Sequence, residues 1–164
     1  MNSEKVCKTD NEMELIFDAL SVNESLARMA VAAFVADKNP TLEELSDIKT
    51  AVSEAVTNAI IHGYENENKS AHKSNDLQKV RLHCSFQGKL LVIEVEDKGV
   101  GISDVEQAME PLFTTKPELD RSGMGFAFME AFMDDLEVES VPGEGTKIHM
   151  IKKIGATPWV NEGE

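Results

Sequence analysis

The sequence predicts an α+β protein, a two-layer α/β sandwich with helices on one face of a mixed β-sheet. Three observations carry this prediction. Short stretches alternate apolar and polar residues with strand period, and two long segments repeat apolar residues at helical spacing behind a Ser/Thr-x-x-Glu start. The third is length, since 164 residues fit one domain with a sizeable core.

Residues 1–12 read as a flexible polar extension. Met13, Leu15 and Phe17 then give a first strand one apolar face. Ser21 with Glu24 has the capping-box pattern, and the helix behind it carries Leu26, Met29, Ala30, Ala33 and Phe34 until Asn39-Pro40 stops it. Thr41 with Glu44 repeats the pattern before a longer helix. Its stripe is Leu45, Ile48, Val52, Val56, Ala59 and Ile60, and Gly63 reads as its stop. Residues 64–78 form a polar surface loop.

Val80, Leu82, Cys84 and Phe86 alternate, Gln87-Gly88-Lys89 turns, and Leu90 to Val95 completes a hairpin. A short helix over 103–109 and a polar connection over 110–122 follow. A helix from Gly123 carries Phe126, Met129, Ala131 and Phe132. A last hairpin joins Leu136–Val141 to Thr146–Ile151 through Pro142-Gly143-Glu144-Gly145, and 155–164 reads as a loose tail. The order is β-α-α-β-β-α-β-β, in one domain over 13–154.

Lys plus Arg total 16 against 30 Asp plus Glu, a net charge of -14. Such a surface repels nucleic acid and anionic membranes, and it suits solubility or a basic protein partner. Cys7 and Cys84 have no disulfide or zinc spacing. No apolar run approaches the roughly 20 residues of a membrane helix. The polar N-terminus lacks a signal-peptide core, so the expected location is cytoplasmic.

Three stretches carry candidate chemistry. In Glu54-Ala55-Val56-Thr57-Asn58, Glu54 and Asn58 share a helical face one turn apart. An amide oxygen there suits a hard cation, and a carboxylate suits a proton leaving a hydroxyl. Taken alone, the pair fits a solvated polar face as well. Asp97 ends an apolar strand before Gly99 and Gly101, where an acid can accept a hydrogen bond from a purine amino group and glycines let backbone approach a ligand. An ordinary acidic turn has the same composition.

Gly123-Met124-Gly125 opens a helix whose bare amides can cradle phosphate, and without a ligand it is simply a glycine-rich helix entry. No lysine follows, which excludes a P-loop. Thr114, Thr115, Lys116 and Arg121 precede it with groups suited to a phosphate-facing lid or to loop solvation, and Thr146 opens the last strand where it can reach Asp97. His62 lies one turn beyond Asn58 and reads as a helix-end cation, while His72, His83 and His149 show no ligand spacing.

In order and spacing these stretches resemble the N, G1 and G2 boxes of the GHKL ATPase/kinase superfamily, whose Bergerat-type ATP-binding fold is the sandwich expected here. Ser53 to Tyr64 and the lid segment Pro111 to Phe126 resemble the anti-sigma F factors of endospore-forming bacteria, a likeness running from about Met13 to about Ile151. The resemblance implies a homodimeric serine-protein kinase that uses ATP and Mg2+ and holds the sporulation sigma factor F inactive. It also implies phosphorylation of an anti-anti-sigma factor on serine.

By the same resemblance Glu54 is the catalytic base, Asn58 the magnesium ligand and Asp97 the adenine-reading acid. Gly99, Gly101, Gly123, Met124 and Gly125 belong to the nucleotide loops, Thr114, Thr115 and Lys116 to the ATP lid over about 103–124, and Thr146 to the adenine side. Arg28 and Arg121 are implied as partner contacts. The 65–78 loop and the residues before Met13 depart from the family pattern, outside the boxes. Two alternatives accompany this reading: a nucleotide-gated binding module without phosphotransfer, and a histidine-kinase-type catalytic domain. The second is disfavoured because no histidine-bearing helical hairpin or sensor segment is present in the sequence.

Overall fold

The computed structural model describes residues 9–64, 78–111 and 125–155. Its strands are β1 (Asn11–Asp18), β2 (Lys79–Gln87), β3 (Leu90–Asp97), β4 (Asp135–Val141) and β5 (Gly145–Lys153), in one sheet of order β1-β2-β3-β5-β4. Period-2 alternation explains them. β2 buries Val80, Leu82, Cys84 and Phe86, and β3 buries Leu91, Ile93, Val95 and Asp97 on the same face. β1 starts at Asn11, inside the expected extension.

Every strand pair is antiparallel, which corrects the expected mixed sheet. The connections give the reason. β2–β3 and β4–β5 are hairpins, with Gly88 (φ 61°) and Gly143 (φ 82°) in their turns. β3 and β4 run in the same sense, but β5 folds back between them, so no parallel neighbours form.

The helices are α1 (Asn23–Val35), α2 (Leu42–Asn58), α3 (Val105–Ala108) and α4 (Gly125–Phe132). A 3₁₀ turn follows α1, and a π-helical turn, Ala59–Gly63, continues α2. α1 and α4 both pack on α2. Ile48, Val52 and Val56 of α2 share one buried cluster with Leu82, Phe86, Ile93 and Met150 of the sheet. Burying each such side chain contributes about 1.5–3 kcal/mol.

The capping box expected at α2 is present. The Glu44 amide donates to Thr41 Oγ1 at 3.0 Å, and the Thr41 amide donates to Glu44 Oε2 at 2.8 Å. The one expected from Ser21 and Glu24 is not. α1 begins at Asn23 behind Val22, with no side-chain cap, because the Glu24 carboxylate accepts a hydrogen bond from Ser53 of α2 and faces Arg28 at 3.5 Å.

The fully buried stripe of α1 is Ala27, Val31 and Val35; of the expected set Phe34 does pack on the core, stacked on Phe86, whereas Leu26 and Met29 are 51% and 60% exposed. Small side chains on the inner face let α1 sit close to α2, and this turns Leu26 and Met29 outward. No helix among the described residues is long and apolar enough to cross a membrane.

Candidate functional site

The candidate site lies where the end of β3, the end of α2 and the start of α4 meet. Asp97 is the last residue of β3 and only 6% exposed. It stands directly opposite Thr146 in the β3–β5 ladder. Its Oδ1 accepts the Gly99 amide at 2.9 Å. Burial pushes its pKa up to about 6, although the Gly99 and Thr146 main-chain amides pull the other way.

The end of α2 packs against this acid. A methyl group at Gly63 would lie 2.8 Å from Asp97 Oδ1, and one at Gly99 would lie 1.9 Å from the Gly63 carbonyl oxygen. Two backbones meet here with no room for a side chain between them. The Val100 amide donates to that same Gly63 oxygen at 2.9 Å. Gly101 (φ 72°) then turns the chain toward Val141, and the Ile102 amide donates to Ser140 Oγ at 2.7 Å. Ser140 Oγ lies 2.8 Å from Thr146 Oγ1, so one hydroxyl pair ties the 97–102 segment to the last hairpin.

Glu54 and Asn58 are half-buried, one turn apart on α2. Gly125 brings α4 to them: a methyl at Gly125 would sit 3.1 Å from Glu54 Oε2, 3.4 Å from Asn58 Nδ2 and 3.5 Å from Asn58 Oδ1. Asn58 Nδ2 is buried with no hydrogen-bond partner. An unpartnered buried amide costs about 1–3 kcal/mol, and its persistence here fits a side chain that meets a ligand. Rotating the amide puts its oxygen in the same place, so Asn58 suits a cation.

Asp97, Gly99, Gly101 and Thr146 are thus tied together around the end of β3, and Glu54, Asn58 and Gly125 lie together on α2 and α4, with Gly63, at the end of the helical segment that carries Glu54 and Asn58, reaching Asp97. Arg28 lies apart, on α1, in a groove of about 500 Å³ with Leu42, Leu45, Ser46, Lys49, Thr50 and Ser53. Thr114, Thr115, Lys116, Arg121, Gly123 and Met124 lie outside the described residues, as do Cys7, His72 and most of the 65–78 loop. No group of His, Cys, Asp and Glu among the described residues could hold a metal by itself. Cys84 is buried, and burial pushes its thiol up to about 12, which makes it inert.

Sequence reasoning missed two contributors. Gly63 reads as a helix stop and does end the π-helical turn, but it is also the contact surface for Asp97. Ser140 carries no motif, and only the pairing of β4 with β5 puts it beside Thr146.

The histidine kinase-like ATPase domain family matches residues 17–152. The chain is 53% identical over 144 residues to the anti-sigma F factor of Bacillus licheniformis, covering 88% of this chain and 93% of that protein. It is 53% identical over 147 residues to the anti-sigma F factor of Pasteuria penetrans, with 90% and 93% covered. With the anti-sigma F factor of a Thermoanaerobacter strain it shares 54% over 146 residues, covering 89% and 96%. Among solved structures, the RsbU and RsbW domains of Rv1364c from Mycobacterium tuberculosis superpose with a TM-score of 0.59 at 17% identity. That likeness concerns the fold, and it covers 88% of this chain and 32% of that longer one.

Proposed function

We propose that this chain, which belongs to the anti-sigma F factor family of histidine kinase-like ATPase domains, is an ATP-dependent serine-protein kinase as well as a sigma-factor inhibitor. It holds the sporulation sigma factor F inactive in its Mg-ATP form, and it phosphorylates an anti-anti-sigma factor on serine. The observation that carries this reading is the approach of Gly125 to Glu54 and Asn58, beside an Asp97 held at the end of the sheet.

The roles follow from chemistry. Asp97 accepts a hydrogen bond from the adenine amino group, with Thr146 at its side. Gly99, Gly101, Gly123, Met124 and Gly125 serve as the nucleotide loops, and Thr114, Thr115 and Lys116 as the lid. Asn58 would hold Mg2+ through its amide oxygen, and the ion supplies charge neutralisation on the phosphates. Glu54 takes the proton from the partner serine hydroxyl as that oxygen bonds to the γ-phosphorus. The bond to the β-phosphate oxygen breaks and ADP leaves. Positioning by these side chains carries most of the rate.

Partner contacts are assigned to Arg28 and Arg121. For the homodimer, support comes from exposed apolar side chains on β1 and around α1: Ile16 (63%), Leu20 (44%), Val22 (74%), Leu26 (51%) and Met29 (60%).

Incubation with labelled ATP, Mg2+ and the anti-anti-sigma factor tests the reading. Label on a serine of that partner is expected. Tight nucleotide-dependent association without label would replace it with a nucleotide-gated binding module.

A further inference from the structure

Tyr64 follows the π-helical turn and is only 2% exposed. Its hydroxyl makes two short hydrogen bonds, donating to the Lys79 carbonyl at 2.6 Å and accepting the Lys98 amide at 2.6 Å. One phenol therefore clamps the start of β2 to the peptide immediately after Asp97. The next two amides are also held. Gly99 donates to Asp97 Oδ1 at 2.9 Å, and Val100 donates to the Gly63 carbonyl at 2.9 Å. Three successive amides after β3 thus each have a defined acceptor, two of them supplied by Gly63 and Tyr64.

We infer that Tyr64 is a positioning residue for base selectivity: its hydroxyl fixes the Asp97–Lys98 peptide so that the carboxylate presents an acceptor to the 6-amino group of adenine and disfavours a 6-oxo purine. The inference rests on the proposed adenine-reading role of Asp97. The π-helical turn gives it a structural basis, because the extra residue in that turn shifts the register of everything after Asn58. The side chain is buried just after the π-helical turn, and the rigid length of the phenol puts its oxygen within hydrogen-bond reach of both β2 and the residue after β3. A phenylalanine would keep the ring and remove the shared partner of the Lys79 carbonyl and the Lys98 amide, whose bonds to the hydroxyl are partly shielded from solvent. Relaxation of the Lys98 peptide then turns the Asp97 carboxylate, while the segments facing the phosphates keep their places.

The test compares ADP and GDP affinities, with Mg2+, of the full chain and of Tyr64→Phe. The wild type is expected to favour ADP. In the variant ADP affinity falls about tenfold or more while GDP affinity holds, so the ratio collapses, as expected when a site loses a fixed hydrogen-bonding group. Unchanged ADP affinity and ratio, or an equal loss for both nucleotides, would overturn the inference and leave the adenine reading standing. A wild type that binds no adenine nucleotide overturns both. Should Tyr64→Phe fail to fold, hydrogen exchange in the wild type decides. The Lys98 amide is expected to be strongly protected in the free protein and more so with ADP than with GDP. Exchange at the rate of an open loop would overturn the clamp.

Discussion

Gly63 touches the Asp97 carboxylate: a single methyl group added at Gly63 would fall 2.8 Å from Oδ1 and 2.9 Å from Cγ. A residue at the end of a helix and an acid at the end of a strand are thereby held at a fixed separation. Gly63→Ala is expected to destabilise the protein by about 1–3 kcal/mol, the usual cost of overpacking. The same displacement of Asp97 weakens adenine-nucleotide binding at least about tenfold, because a base-reading hydrogen bond is lost. Thermal unfolding and a nucleotide titration of the same sample measure both effects.

The pH dependence of binding follows from Asp97. Its pKa in the fold, about 6, lies above the ordinary aspartate value of 3.8. The folded state therefore binds a proton more tightly than the unfolded one, and stability from this group is lost as pH rises through about 6. Asp97→Asn removes that cost, so the free variant is expected to melt higher than the parent at pH 7.5, with the difference vanishing below pH 4. Binding runs the other way. The ionised acid is the better acceptor, so wild-type ADP affinity should drop as pH falls through about 6. Calorimetric titration across that range checks the sign.

Glu54 and Asn58 separate chemistry from binding. Glu54→Ala should retain Mg-nucleotide affinity while losing phosphotransfer by roughly 10²–10⁴-fold, the usual contribution of a general base. Asn58→Ala should weaken Mg-nucleotide binding as well as transfer. Phosphorylation of the partner by Glu54→Ala at the wild-type rate would remove Glu54 from the mechanism.

The open face of the sheet carries a row of charges across β2, β3 and β5. His83 Nδ1 lies 3.6 Å from Glu94 Oε2, and both His149 Nδ1 (3.3 Å) and Lys147 Nζ (3.0 Å) reach Glu94 Oε1. Burial alone would raise the Glu94 pKa, but hydrogen bonds and charge from Lys147 and His149 hold it below the ordinary glutamate value. A depressed acid contributes stability that is present above its unfolded pKa and lost as pH falls through the folded one. Glu94→Gln should therefore lower the Tm by about 2–4 °C at pH 7. That gap should close in the acid range, and Tm measurements from pH 7 to pH 3 would reveal it.

The sequence made some elements legible because their signals are local. The alternation in β2 and the Thr41–Glu44 box depend on neighbouring residues alone, and both are found. The Ser21–Glu24 pattern fails because Glu24 has a better partner on another helix, Ser53, which no local window contains. The stripe of α1 is partly misphased: Phe34 packs on the core, but the larger Leu26 and Met29 face outward while Ala27 and Val31 fit the close contact. Antiparallel pairing throughout was hidden by β5, whose insertion between β3 and β4 is a matter of topology. In the site, Asp97 and the glycines stood out by residue type. The role of Gly63 did not, since it comes from a strand distant in sequence approaching a helix end.

One cleft holding adenine nucleotide through Asp97 underlies every role proposed for these residues. Titration of the wild type and of Asp97→Asn with a fluorescent adenosine nucleotide and Mg2+ tests that directly. Saturable binding by the wild type, weakened about tenfold or more in the variant, is the predicted result. Absence of saturation in the wild type, or equal affinity in the two proteins, would contradict it.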